Sequence, residues 1–395
     1  MKKKIALALS LIMLAGTVCL SGCGNNGGNT SDTGNSSTSG TESAIRIGGI
    51  GPVTGGAAAY GMAVKNGAQI AVDEINAKGE IKLELNFQDD ENDAEKSVSA
   101  YNTLKDWKMH MLLGTVTTTP CLAISPETYS DRIFQITPSA SSPQVIEGHD
   151  NVFQVCFSDP NQGTASAQYI AEKALATKIG IIYRNDDAYS TGIFESFKAE
   201  AEKLGLDIVS VTTFTNDTAS DFSVQINDAK SKGADLLFLP IYYEPASLIL
   251  AQAKSADFAP LFFGVDGMDG ILSLENFDKS LAEGVILLTP FSADSEDAAT
   301  KSFVEKYQSA HGEIPNQFAA DAYDAVYAIA EAVKKSGVTA DMSAADMCDK
   351  LAAAMTEIKI DGITGAGSQL TWNDKGEVSK APMAVVIKDG VYVGY

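Results

Sequence analysis

From Ile45 onward the chain alternates short apolar runs with stretches of helical period, and that alternation limits the open architectures more than any motif does. Ile45, Ile47 and Ile50 open a strand. Ala63, Val64, Gly67, Ala68, Ala71, Val72 and Ile75 then recur at helical spacing, and Ile81, Leu83, Leu85 and Phe87 alternate as a second strand. That is one βαβ unit. Val98, Tyr101 and Leu104 predict a further helix, and the runs Met109 to Leu113 and Ile133 to Ile136 two further strands. A second series follows, with helices expected at 161–177, 191–204, 219–232 and 245–255. Between them, strands are expected at 179–183, 206–212, 236–239 and 261–263. Repeated strand-then-helix order implies parallel sheets covered on both faces, and the body from Ala44 to Tyr395 is long enough for two. The expected fold class is α/β, with two doubly wound parallel-sheet lobes.

Composition removes several functions. The 51 acidic residues outweigh 29 basic ones for a net charge of −22, which argues against nucleic acid as a partner. Five cysteines without a C-x-x-C pair, and the dispersed His110, His149 and His311, provide no usual zinc spacing. Neither a G-x-S-x-G elbow nor a phosphate-binding G-x-x-x-x-G-K-[ST] loop is present. The acidic run Asp89, Asp90, Glu91, Asp93 lacks EF-hand spacing and reads as a solvated strand end and helix cap. No metal or other cofactor is expected. A dinucleotide enzyme is the rival reading, but Gly49, Gly51 and Gly55 are spaced G-x-G-x-x-x-G with Pro52 inside.

The N-terminus reads as an address. Lys2, Lys3 and Lys4 precede an apolar stretch from Ile5 to Val18, and Leu20-Ser21-Gly22-Cys23 follows. This is signal-peptide layout, too short for an ordinary spanning helix. The tetrad resembles the lipobox of bacterial lipoproteins, which implies a signal over 1–22 and lipidation at Cys23. Of the 20 residues Gly24 to Ser43, 18 are Gly, Asn, Ser or Thr, a composition that cannot bury a core, so 23–43 is expected to be a lipidated flexible tether. Cys121, Cys156 and Cys348 are too few for a disulfide scaffold and are expected to be buried thiols.

In parallel sheets of this kind ligands bind beyond the carboxyl ends of strands. Two of those exits are rich in hydroxyls: Gly114 to Pro120, and Thr137 to Pro143. Thr119 and Ser142 are expected as N-caps with the following proline at the first helical position. Such loops can hold a carboxylate through hydroxyls and free amides, although each is also ordinary capping sequence. Later exits place Asp187 and Tyr189, then Tyr242 and Tyr243, then Asp266, a set suited to a small cation with an apolar part.

These stretches together resemble the type I periplasmic binding proteins, in the leucine/isoleucine/valine-binding branch that feeds ABC importers. The resemblance lies in Gly51-Pro52-Val53-Thr54-Gly55-Gly56 with Tyr60-Gly61, in Asp73 to Gly79, in both hydroxyl loops, in Asp187 to Gly192, and in Phe318 to Ala325. It implies two lobes joined by a three-strand hinge, at 44–159 plus 290–364 and at 160–289 plus 365–395. Thr118, with Thr117 beside it, matches the hydroxyl that grips a ligand α-carboxylate. Ser139 and Ser141 match the groups that bracket the amino-acid head, and Asp266 matches the acid for the ammonium. Tyr189 and Tyr242 fall on the second lobe's contact surface, and Tyr60 and Val116 where the ligand side chain packs. The implied protein is a monomeric, lipid-anchored, extracytoplasmic receptor that hands an apolar L-amino acid to a membrane permease and performs no chemistry. Within the same fold, an amide, urea or aromatic-acid receptor and a sensory module are the alternatives.

Overall fold

The computed structural model describes residues 43–365 and 369–395. The signal, the tether and Cys23 lie outside the described residues, apart from Ser43. In the first half, β1 (Ile45–Gly51), α1 (Ala58–Lys78), β2 (Leu83–Asp89), α2 (Ala94–Asp106), β3 (Met111–Gly114), α3 (Thr118–Asp131), β4 (Phe134–Thr137) and β5 (Val152–Gln154) alternate as expected. The strands form one parallel sheet in the order β2-β1-β3-β4-β5. The second half continues with α4 (Asp159–Glu172), β6 (Ile179–Arg184), α5 (Ala188–Leu204), β7 (Ile208–Phe214), α6 (Ser223–Ser231), β8 (Leu236–Leu239), α7 (Tyr243–Ser255), β9 (Leu261–Gly264) and β10 (Ile286–Thr289). After α8 (Ala298–His311), α9 (Gln317–Ser336), α10 (Ala344–Met355) and the small pair β11 (Ile360–Asp361) and β12 (Gln369–Leu370), the chain ends in the hairpin β13 (Met383–Lys388) and β14 (Val391–Gly394). The second sheet runs β14-β13-β10-β9-β8-β6-β7, with only the terminal hairpin antiparallel.

Both sheets are covered on both faces, as doubly wound sheets must be because strands buried on each side carry apolar residues in succession. In β8, Leu236 and Phe238 pack with α4 and α5, whereas Leu237 and Leu239 face the core that holds α6 and α7. In β3, Met111 and Leu113 face the core of α1 and α9, while Leu112 faces α2 and α3. Helices α1 and α9 approach closely: a Cβ on Gly67 would lie 2.0 Å from the Ala319 carbonyl oxygen, so only glycine fits there.

Three stretches of chain pass between the lobes: after β5, after β10, and between β12 and β13. Buried polar contacts lie on and beside them. Lys380 Nζ pairs with Asp321 Oδ1 at 2.6 Å, both side chains almost wholly buried. Asp324 accepts from the Ile363 and Thr364 amides at 3.0 Å and from Thr364 Oγ1 at 2.6 Å. Trp372 Nε1 donates to the Gln154 carbonyl at 2.8 Å.

Several local expectations are corrected. The N-cap of α3 is Thr117 and not Thr119, so Pro120 sits at the third helical position. Likewise α7 begins at Tyr243, two residues before Pro245. The amides of a first helical turn have no intrahelical acceptor, so proline is tolerated anywhere within it and does not mark the first residue. Ser142 does cap its short 3-10 turn, accepting from the Gln144 amide. The strand expected from Leu206 starts at Ile208, because Gly205 is left-handed and the Leu206 amide still bonds back to Ala201. Helix α4 begins at Asp159 and stops at Glu172, where Ala174 takes a positive φ. Helix α6 is shortened because Thr215 and Thr218 form a capping box on a separate 3-10 turn. The acidic run is only partly solvated: Asp93 caps α2, but Asp90 is fully buried and accepts from Asn92 N and Ser97 Oγ. Cys121, Cys156 and Cys348 are buried and unpaired.

Candidate ligand-binding site

Every strand order here places a switch point at the second strand from one edge, and the exits of β1, β3 and β4 face those of β6, β8 and β9 across a cleft. Between them lies a small inner cavity. Tyr60, Val116, Thr117, Ser139, Tyr189, Tyr242 and Asp266 line it, together with Gly267 and Phe318. Thr118 and Ser141 do not reach its wall. Their hydroxyls are buried just behind it without a hydrogen-bond partner. Phe318, at the start of α9, packs on Tyr60 with ring centroids 4.3 Å apart.

The first-lobe wall is built from neutral groups. Thr137 Oγ1 accepts from the Ala140 amide at 2.9 Å and donates to the Thr115 carbonyl at 2.7 Å, tying the two hydroxyl loops together. Ser139 Oγ donates to the Val116 carbonyl at 2.5 Å, and Thr117 Oγ1 donates to Asn92 Oδ1 at 2.7 Å. Those hydroxyls are engaged; the Thr118 hydroxyl is the one left over beside the helix α3 N-terminus, where amides favour an anion.

The second-lobe wall is acidic and aromatic. Tyr189 OH donates to Asp266 Oδ1 at 2.5 Å and accepts from the Gly267 amide at 2.9 Å. Burial pushes the Asp266 carboxyl up to about 7, against the pull of the Tyr189 and Gln162 contacts. Gln317 Nε2 holds the Asp266 carbonyl at 2.9 Å, and Gln162 Oε1 receives its amide at 3.3 Å. Tyr242 lies between Tyr60 and Tyr189, with centroids 5.3 and 5.0 Å away.

Sequence reasoning missed Asp159, Gln162 and Phe318. Asp159 is completely buried, neither carboxylate oxygen has a hydrogen-bond partner, and burial holds its pKa far above the ordinary carboxylate range. Ser141 lies close enough to pull that value down without completing a hydrogen bond to it. The signal available was Ser158-Asp159-Pro160 after β5, which reads as an ordinary helix start. Phe318 reads from sequence only as part of a helix pattern.

A roomier, open groove of about 390 Å³ lies at the cleft mouth and shares Tyr242 with the inner cavity. Its two basic groups are already paired, Lys96 with Glu91 and Arg184 with Asp186, so it has no unmatched cation for a ligand. Among the described residues no group of three or more His, Cys, Asp or Glu could hold a metal ion.

The sequence model of the periplasmic binding protein family matches residues 44–390. The chain belongs to that family. It is 30% identical over 359 residues to the Leu/Ile/Val-binding protein homolog 3 of Brucella melitensis biotype 1, covering 89% of this chain and 93% of the relative. The fold is similar to that of the branched-chain amino acid transporter substrate-binding protein LivJ from Streptococcus pneumoniae, solved with isoleucine. That match has a TM-score of 0.79 and 27% identity, over 88% of this chain and 97% of that one. A solute-binding protein from R. palustris solved with benzoate has a TM-score of 0.79 at 20% identity, over 89% of this chain and 95% of that one, and shows the fold alone. This periplasmic binding protein is thus of type I, in the branch of the Leu/Ile/Val-binding proteins. The family is one of substrate-binding transport proteins and not of enzymes.

Proposed function

We propose that this protein captures one free, apolar L-amino acid between its lobes and delivers it to the permease of an ABC importer. The observation that carries this reading is the pairing of walls: Thr117 and Ser139 at the helix α3 N-terminus on one side, with the unpartnered Thr118 hydroxyl behind them, the buried Asp266 on the other, and Tyr60, Val116 and Phe318 between them. A zwitterion satisfies both walls at once. Its carboxylate takes the Thr118 hydroxyl and helix amides, its ammonium meets Asp266 with Asp159 nearby, and its side chain fills the apolar part. An aromatic acid lacks the ammonium and would bring an anion into a pocket that already buries carboxylates, which is costly without a cation. The lobes, divided at 44–159 plus 290–364 and 160–289 plus 365–395, would close over the ligand by bending the three crossings. Leucine, isoleucine and valine should each raise the melting temperature and shrink the radius of gyration, because they bind only the native state. Benzoate and acetamide serve as controls in the same calorimetric and scattering series; a response to either with none to any amino acid would overturn the assignment.

The same proposal places the mature protein outside the cytoplasm as a monomer, held to the membrane by lipid on Cys23, with Gly24 to Ser43 as tether. Cell fractionation checks the anchor: Cys23→Ser should release the protein into the soluble fraction, and unchanged membrane association would refute lipidation there.

A further inference from the structure

Two long helices meet end to end across the cleft without caps of their own. Helix α1 has Ala57 at its N-cap, no side-chain capping bond and no acid in its first turn. Helix α7 has Tyr242 at its N-cap and likewise no capping bond. Helices α3, α4 and α6 also lack a side-chain capping bond, whereas α2, α5, α8, α9 and α10 are each capped from within by Asp93, Asp187, Asp297, Asn316 and Ser343. The caps missing from α1 and α7 come from the opposite lobe. The Ala59 amide, in the first turn of α1, donates to Tyr243 OH at 3.1 Å. The Tyr243 amide, first in α7, donates to Tyr60 OH at 3.3 Å, and that hydroxyl in turn donates to the Gly267 carbonyl. The two rings stand edge to face, with centroids 4.9 Å apart and planes at 82°. Beside them the Glu244 carboxylate rests against Gly56, just ahead of α1, where a Cβ would lie 2.0 Å from Oε2.

We infer that Tyr60 and Tyr243 are a reciprocal capping pair that latches the lobes shut, with Tyr243 positioning Tyr60 in the ligand pocket. This rests on the reading of the cleft as a site that opens and closes. The cavity supplies the physical reason: Tyr60 and Val116 are each 1% exposed and Asp266 3%, so a ligand can enter only when the walls part. Parting them breaks both capping bonds and returns two helix ends to water. The bonds therefore count toward closure and not toward the stability of either lobe. Tyr243 does not line the cavity, whereas Tyr60 does. A change at Tyr243 consequently acts on the ligand only through Tyr60 and the closed state.

Tyr243→Phe tests this, since it keeps the ring and deletes the acceptor for the Ala59 amide. One neutral hydrogen bond contributes about 0.5 to 1.5 kcal/mol, so leucine should bind roughly two- to tenfold more weakly, with the change in the dissociation rate and little change in association. Without any ligand, hydrogen exchange in the peptide spanning residues 56–64 should speed up and the scattering radius should grow, while the far-ultraviolet spectrum stays native. The Tyr60→Phe, Tyr243→Phe double variant should be less impaired than the sum of the two single changes, as expected of one shared unit. Wild-type exchange in 56–64 and an unchanged ligand-free radius in Tyr243→Phe would overturn the latch, whatever the ligand. Failure of the wild-type protein to respond to any amino acid would instead overturn the functional reading, and the ligand-free measurements would still decide the latch.

Discussion

The two walls of the cleft solve the same problem with different chemistry. The first-lobe wall presents hydroxyls and helix amides, neutral groups that lose little when water leaves. The second-lobe wall buries a carboxylate: Asp266 is 3% exposed with its pKa raised, and Asp159, at the first crossing between the lobes, is fully buried with both oxygens unpartnered. A neutral wall can be closed over at modest cost, but a buried acid demands a proton or a cation. The difference teaches that the first lobe shapes the site and the second supplies most of its demand for charge.

Removing the charge on the second wall should have the largest effect. Truncating one partner of a buried, hydrogen-bonded charge pair costs on the order of 2 to 5 kcal/mol, so Asp266→Asn should weaken leucine binding at least about thirtyfold by calorimetry. Equal affinity in this variant would remove the asymmetry between the walls.

Acidity should shift the ligand-free cleft by a smaller amount. Asp266 has an ordinary carboxylate pKa when water reaches it and a value raised to about 7 when the cleft buries it. Between those values the closed form binds a proton that the open form does not, so lowering the pH favours ligand-free closure and raising it toward 8 opposes it. Asp159 is raised as well and adds a slope of the same sign if opening exposes it. The scattering radius of the ligand-free protein should therefore increase from pH 5 to 8, and less so in Asp266→Asn. Identical pH profiles for the two proteins would show that Asp266 does not feel closure.

The smallest effect belongs to the neutral wall. Thr118→Val removes a hydroxyl that has no partner within the protein, so the ligand-free melting temperature should stay level or rise slightly. Leucine affinity should still fall about two- to tenfold, the contribution of one hydrogen bond of ordinary strength, because the helix amides still meet the carboxylate. Lower ligand-free stability together with unchanged affinity would mean that Thr118 serves the fold and not the ligand.

Sequence reading and structure part company along physical lines. The strand exits were legible because a switch from period two to helical period is written within a few residues, and seven of the nine residues that the family resemblance marks line one cavity. Helix starts were misread at Thr119 and Pro245 because proline is tolerated at several first-turn positions and only backbone geometry chooses among them. Asp159 was passed over because an acid that starts a helix looks the same whether it faces water or a sealed pocket.

What the sequence by itself determined is therefore the alternation of strands and helices, the exits that carry hydroxyls, tyrosines and acids, and the excess of negative charge. Each depends on neighbours a few residues away or on a plain count. Tertiary structure alone decided which exits meet, which acids are stripped of water, and that Tyr60 and Tyr243, 183 positions apart, cap each other's helices. Desolvation and end-to-end capping depend on what a distant segment brings alongside, and local sequence carries no record of that.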